Sequence, residues 1–122
     1  MPKVDQILLF VADPHKSAKF YQELGFEVVT ESDESAIVRM GGFRVYCQNK
    51  ANAQFPAEAG LEPKGAGVYI YLRTDNVDET YRLMVAQELK PSSEPRDWPW
   101  GNREFVIRDP DRYKLVFYQS LK

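Results

Sequence analysis

A single cysteine and a single histidine occur among the 122 residues. One thiol allows no internal disulfide and no thiolate metal cluster built by one chain, so Cys47 reads as a small buried hydrophobe. Excess charge of either sign is missing as well: 16 Lys and Arg stand against 18 Asp and Glu, a net charge of −2. Without a basic stripe to track a phosphate backbone, nucleic acid is not expected as a partner. Long apolar runs are also lacking. The opening MPKVDQILLFVADP holds a run of only six apolar residues, too short for a signal-peptide core or a bilayer span. The expectation is a cytoplasmic protein with no membrane partner. The 43% of hydrophobic residues is enough for one real core, in a single domain or in two small halves.

The segment around which the chain is organised is WPWGNREFVIRDPDRYKLVFY, Trp98 to Tyr118. Two apolar runs flank a DPDR turn, where Asp bonds back to nearby N–H groups and Pro fixes φ, which predicts a hairpin. Upstream, Gln6 to Val11 reads as a central strand. Asp13 then supplies an N-cap and Pro14 the first helical position. Ser17, Phe20, Tyr21 and Leu24 follow at helical spacing, and Gly25 ends the helix. Three β-prone runs come next, Phe26 to Glu31, Ser35 to Met40 and Phe43 to Gln48, separated by turn residues. Residues 49–67 show little periodicity and read as a linker or mobile loop. The order then repeats: a strand Val68 to Arg73, a cap at Asp75 or Asn76, a helix carrying Val77, Tyr81, Met84 and Val85 toward Glu88 or Leu89, a broken edge segment Pro91 to Pro95, and the hairpin. The chain reads as βαβββ twice, an α+β protein with a first module at about 4–49, a linker at 50–66 and a second module at about 67–120.

Three stretches carry a family resemblance: FVADPHKSAKFYQELGFEVV, GVYIYLRTDNVDETYRLM and the closing WGNREFVIRDPDRYKLVFY. Together they resemble the vicinal oxygen chelate superfamily of glyoxalase I, extradiol dioxygenases and bleomycin-resistance proteins. The resemblance implies a single glyoxalase/bleomycin-resistance-like domain over 1–122, two modules whose curved mixed sheets form a cup with helices outside, and a homodimer. One departure lies in the hairpin, where Arg112 stands in place of the family's usual glycine. A non-Gly residue at positive φ there costs on the order of 1 kcal/mol.

In the enzymes of that superfamily, cup-face side chains bind a divalent metal that chelates two neighbouring substrate oxygens. Carried over by distance from Asp13, Asp75 and Asp109, the ligand positions fall on Gln6, Tyr69 and Val116, with the remaining one near Tyr46 or Gln48. Valine has no donor and neutral tyrosine is a poor one, whereas Zn, Ni, Fe or Mn sites need imidazole, thiolate or carboxylate. No metal and no cofactor are therefore expected. His15, in the first turn of the first helix, reads as a solvated surface residue.

Strand parity proposes another use for the cup, because alternate residues share a face. Gln6, Leu8 and Phe10 form one set, Arg44, Tyr46 and Gln48 a second, Tyr69, Tyr71 and Arg73 a third, and Lys114, Val116 and Tyr118 a fourth. Val68, Ile70 and Leu72 would then pack against the helices. The candidate ligand-binding residues are Gln6, Phe10, Arg44, Tyr46, Gln48, Tyr69, Tyr71, Arg73 and Tyr118, with Trp98 and Trp100 at the mouth. Aromatic walls with a few fixed polar groups suit a flat ligand, and the arginines favour an anionic or carbonyl group on it. Against this stand two plainer readings, aromatics that fill the space between sheets and arginines engaged in surface salt bridges. The leading expectation is a metal-independent protein that binds or sequesters a planar aromatic compound, such as an antibiotic or toxin, with no catalytic residue. Glu104 is the one acid to watch, its facing undetermined. The alternatives are a metal-dependent lyase, isomerase or dioxygenase with an atypical site, and a partner-binding module using the loop around Phe55 and Leu61.

Overall fold

The computed structural model describes residues 1–122, which fall into two compact units, Met1–Lys64 and Gly65–Lys122. In the first unit, β1 (Gln6–Val11) is followed by α1 (Pro14–Glu23), then β2 (Glu27–Glu31), β3 (Ser35–Met40) and β4 (Phe43–Asn49). The Asp13 carboxylate caps α1 by accepting from the His15 backbone N–H at 2.9 Å, and Pro14 sits where a helix leaves an N–H unused. Gly25 closes the helix at φ 109°, a conformation that L side chains resist. The Phe26 N–H then reaches back to the Tyr21 carbonyl at 2.9 Å.

The sheet of this unit runs β1-β4-β3-β2, with β1 parallel to β4 and the other neighbours antiparallel. A bulge at Val29 shifts the β2 register. Leu9, Val11, Ala36, Val38, Val45 and Cys47 are buried on the side that receives Ala18 and Tyr21 of α1. Burying each larger aliphatic of this set contributes about 1.5–3 kcal/mol. Cys47 is fully buried, as a small hydrophobe would be.

The second unit repeats the order. Its elements are β5 (Tyr69–Arg73), α3 (Val77–Ala86), β6 (Arg96–Asp97), β7 (Asn102–Arg108) and β8 (Lys114–Ser120), in a sheet ordered β5-β8-β7-β6. Of the two possible caps for α3, Asn76 is the one used, its side chain accepting from the Glu79 N–H at 3.1 Å. The helix ends at Ala86, short of Glu88 and Leu89, because Glu88 takes φ 66° and the Leu89 N–H bonds back to the Met84 carbonyl at 3.0 Å. Leu72, Val77, Met84, Phe105, Ile107, Leu115 and Phe117 form the core, with Phe105 stacked on Phe117 and edge-on to Tyr81.

Within the DPDR turn, the buried Asp109 carboxylate accepts from the N–H groups of Asp111 and Tyr113, both at 2.9 Å. Arg112 takes φ 76°, the left-handed conformation that its place in the turn demands. One expectation needs correction: Val68 precedes β5 and is 44% exposed, so it does not pack against a helix. Residues 49–67, read as a linker or loop, carry a 3-10 turn (Lys50–Asn52) and a one-turn helix α2 (Pro56–Ala59), too short to leave a periodic signal.

Candidate small-molecule site

Each sheet has a helix-covered face and an open face, and the sequence-predicted residues lie on the open faces. In the first unit, cross-strand pairing sets Gln6, Arg44, Arg39 and Glu27 in one row. Leu8, Tyr46 and Ile37 form the next, and Phe10, Gln48 and Ser35 the third. Arg39 is drawn off by Glu27 at 2.9 Å. Arg44 faces a like charge across the strand pair, makes no salt bridge, and its Nε is buried without a hydrogen-bond partner. Such an unmet donor is costly when left dry. The Gln48 amide donates to the Asn52 carbonyl at 3.4 Å.

The second unit's open face carries Arg73, Tyr118, Glu104 and Arg96 in one row across four strands. Tyr71, Val116 and Val106 make the next row, and Tyr69, Lys114 and Arg108 the third. Tyr71 and Tyr118 meet edge-on at 5.6 Å. Tyr69, Tyr71 and Trp100 are each about half exposed, at 55%, 49% and 55%. Trp98 and Trp100 stack at 4.7 Å and 12°, and the Arg96 guanidinium lies 3.7 Å from the Trp98 ring centre. The Trp98 ring thus meets both the Arg96 guanidinium and the Trp100 ring.

Sequence reading left one residue of this face unplaced. Glu104 is 5% exposed and points to the open side, paired across the strand with Tyr118. Its Oε2 accepts from the Trp100 indole N–H at 2.9 Å and from the Asn102 amide at 3.1 Å. Counting back from the DPDR turn would have found it, since Phe105 and Ile107 mark the opposite face of β7. Partial desolvation raises the Tyr71 hydroxyl above the ordinary phenol range, and the Glu104 carboxylate and Tyr69 act in the same direction.

The positions where the superfamily's enzymes hold a metal do not supply a donor set here. Val116 is buried and has no donor atom, and the Tyr69 hydroxyl takes the Lys114 ammonium at 3.3 Å. No three His, Cys, Asp or Glu side chains come together in a group suited to a metal ion. His15 lies in a surface bridge, Nδ1 2.5 Å from Glu31 and Nε2 2.7 Å from Asp33, and those two carboxylates raise it to about 9. A cleft of about 290 Å³ opens on the helix side of the second unit, lined by Asp78, Tyr81, Arg82, Glu94, Pro95 and Arg103. Arg103 in it is already tied to Asp78 and Asp97, at 3.1 and 3.0 Å.

Comparison with known proteins decides the family. Residues 3–117 match the model of the Glyoxalase/Bleomycin resistance protein/Dioxygenase superfamily. The chain belongs to that superfamily. Bleomycin resistance proteins of Geobacillus stearothermophilus and Staphylococcus aureus are 25% identical to it over 92% of each chain. Among solved structures, a glyoxalase/bleomycin resistance protein/dioxygenase from Nocardioides superposes with a TM-score of 0.83 at 21% identity, covering 100% of this chain and 85% of that one. A bleomycin resistance determinant encoded on the transposon Tn5 gives 0.70 at 24% identity, covering 98% of both. These likenesses show the superfamily's fold of two four-stranded mixed sheets with helices. No helix is long and apolar enough to cross a membrane.

Proposed function

We propose that this superfamily member is a small-molecule-binding protein of the bleomycin-resistance type, which sequesters a flat aromatic compound, such as an antibiotic or toxin, without a metal and without transforming it. The observation that carries this is the open face of the second sheet, where Tyr69, Tyr71 and Trp100 stand half exposed around a polar centre. Aromatic rings left half in water on one sheet face offer large stacking area at low entropic cost. The absence of a metal from the proposal rests on the donors: an amide at Gln6, an engaged phenol at Tyr69 and an alkyl group at Val116. The relatives named for bleomycin resistance support a reading of the chain as a protein of that type. A homodimer, the arrangement that the family resemblance implies, belongs to the same proposal.

Tryptophan fluorescence of chelator-treated protein, titrated with a panel of flat heteroaromatic compounds including bleomycin, tests it. Saturable quenching by at least one compound, lost in Trp100→Ala and with the compound recovered unchanged, is the expected result. Quenching that requires restored Zn, Ni, Fe or Mn would contradict the metal-free reading.

A further inference from the structure

Arg103 alternates with Glu104 along β7, so the cleft that Arg103 lines opens on the helix side of the second sheet, away from the half-exposed tyrosines. One wall is α3, with Asp78, Tyr81 and Arg82, and the other is the edge segment that carries Glu94 and Pro95. Both walls are held in place. Arg103 donates from Nε to Asp78 at 3.1 Å and from Nη1 to Asp97 at 3.0 Å, which ties the first turn of α3 to β6. The Ser92 N–H donates to the Val106 carbonyl at 2.7 Å, the Val106 N–H donates to the Ser93 hydroxyl at 3.1 Å, and Pro95 keeps the backbone of Glu94 out of the helical region. Between these walls two opposite charges stand apart. Arg82 and Glu94 are exposed in the same cleft, and neither makes a hydrogen bond or an ion pair, with the other or with a third residue. Arg82 follows Asp78 by four residues, the spacing at which an acid and an arginine pair along a helix, but Asp78 is engaged by Arg103 instead.

The geometry points to a second small-molecule site in this cleft, one that takes a zwitterion of amino-acid size, with its ammonium on Glu94 and its carboxylate on Arg82. The cleft's volume of about 290 Å³ lies at the small end of ligand pockets, which suits a free amino acid better than a large aromatic compound. Arg103 does not compete for the carboxylate as a bare cation would, because two carboxylates already balance it. A ligand carrying a single charge would pair with one of Arg82 and Glu94 and leave the other partly covered without a partner, which costs binding energy. A ligand carrying both charges satisfies both walls in one pose, through charged hydrogen bonds to a guanidinium and a carboxylate that are held apart beforehand. The Tyr81 ring, fixed edge-on to Phe105 at 5.3 Å, and Pro95 offer apolar contact to the carbon chain between the charges. This site is separate from the open face, and it stands or falls without the binding function proposed there.

Leucine and γ-aminobutyrate, zwitterions with different separations between their charges, test this when titrated into the isotope-labelled full chain and followed by NMR. The N-acetylated form of each, which lacks the cation, and the amidated form, which lacks the anion, serve as controls. Saturable shifts at Arg82, Glu94 and Arg103 with at least one zwitterion are expected, and both blocked forms of that compound should bind roughly tenfold more weakly or worse. Arg82→Gln and Glu94→Gln should each weaken the zwitterion to a similar extent, and both should keep the parent's urea midpoint because each removes an exposed, unpaired charge. Blocked forms that bind as tightly as the zwitterion overturn the inference, and so do unchanged affinities in both variants. An absence of saturable shifts in the cleft with either zwitterion overturns it as well. None of these results bears on aromatic ligands at the open face, which the tryptophan titration tests separately.

Discussion

Replacing Arg112 by glycine should stabilise the protein, and the amount follows from the turn itself. Arg112 sits at φ 76° with an exposed side chain, and its turn contacts are backbone ones. Its N–H donates to the Asp109 carbonyl at 2.8 Å and its carbonyl accepts from Arg108 at 3.3 Å, and glycine keeps both. The left-handed conformation costs an L residue about 1–2 kcal/mol, which glycine does not incur. Glycine gives back about 0.4–1 kcal/mol through a more disordered unfolded chain. The net is a gain of about 0.5–1 kcal/mol, a rise of roughly 2–4 °C in Tm for a chain of this size. Urea unfolding should show a higher midpoint with the slope unchanged. Arg112→Ala is the control, because it removes the same side chain but keeps the strain, and it should be close to neutral. An alanine variant as stable as the glycine one, or a glycine variant less stable than the parent, would refute the strain argument.

Two further outcomes follow from the helix starts. His15 is raised from 6.5 to about 9 by Glu31 and Asp33, so its bridge stabilises the fold fully below pH 6.5 and is lost as pH rises toward 9; His15→Gln should flatten that decline, and an NMR titration of the ring should place its midpoint near 9, not near 6.5. Asn76→Ala removes the side-chain cap of α3 and should cost about 1 kcal/mol in chemical denaturation, whereas Asp75→Ala, whose side chain is not the cap, should cost far less.

The parts of the fold that were legible in the sequence are those with a local chemical reason. β1 falls on the apolar run and β3 on the β-prone run that predicted them, Asp13 and Pro14 open α1, Gly25 closes it, and Arg112 takes the positive φ that a DPDR turn requires. The one-turn helix at Pro56–Ala59 was not legible, because one turn is shorter than the repeat by which a helix is recognised. Parity placed the tyrosines and arginines of β4, β5 and β8 on shared faces. It could not show that Arg96 would leave Glu104 for Trp98, or that the loop through Gly101, at φ 93°, would bring the Trp100 indole onto that carboxylate. Those contacts depend on loop geometry, which residue type alone does not specify. For the same reason, the sequence showed the aromatic lining while leaving the facing of its one buried acid undetermined.

The most direct test of the central claim is a chemical-shift map of the protein titrated with a flat aromatic compound that quenches its tryptophans. The largest shifts are expected at the indole N–H of Trp100 and along β5, β7 and β8 at Tyr71, Glu104 and Tyr118. Shifts confined to the opposite side, in the cleft of Arg82, Glu94 and Arg103, would contradict it.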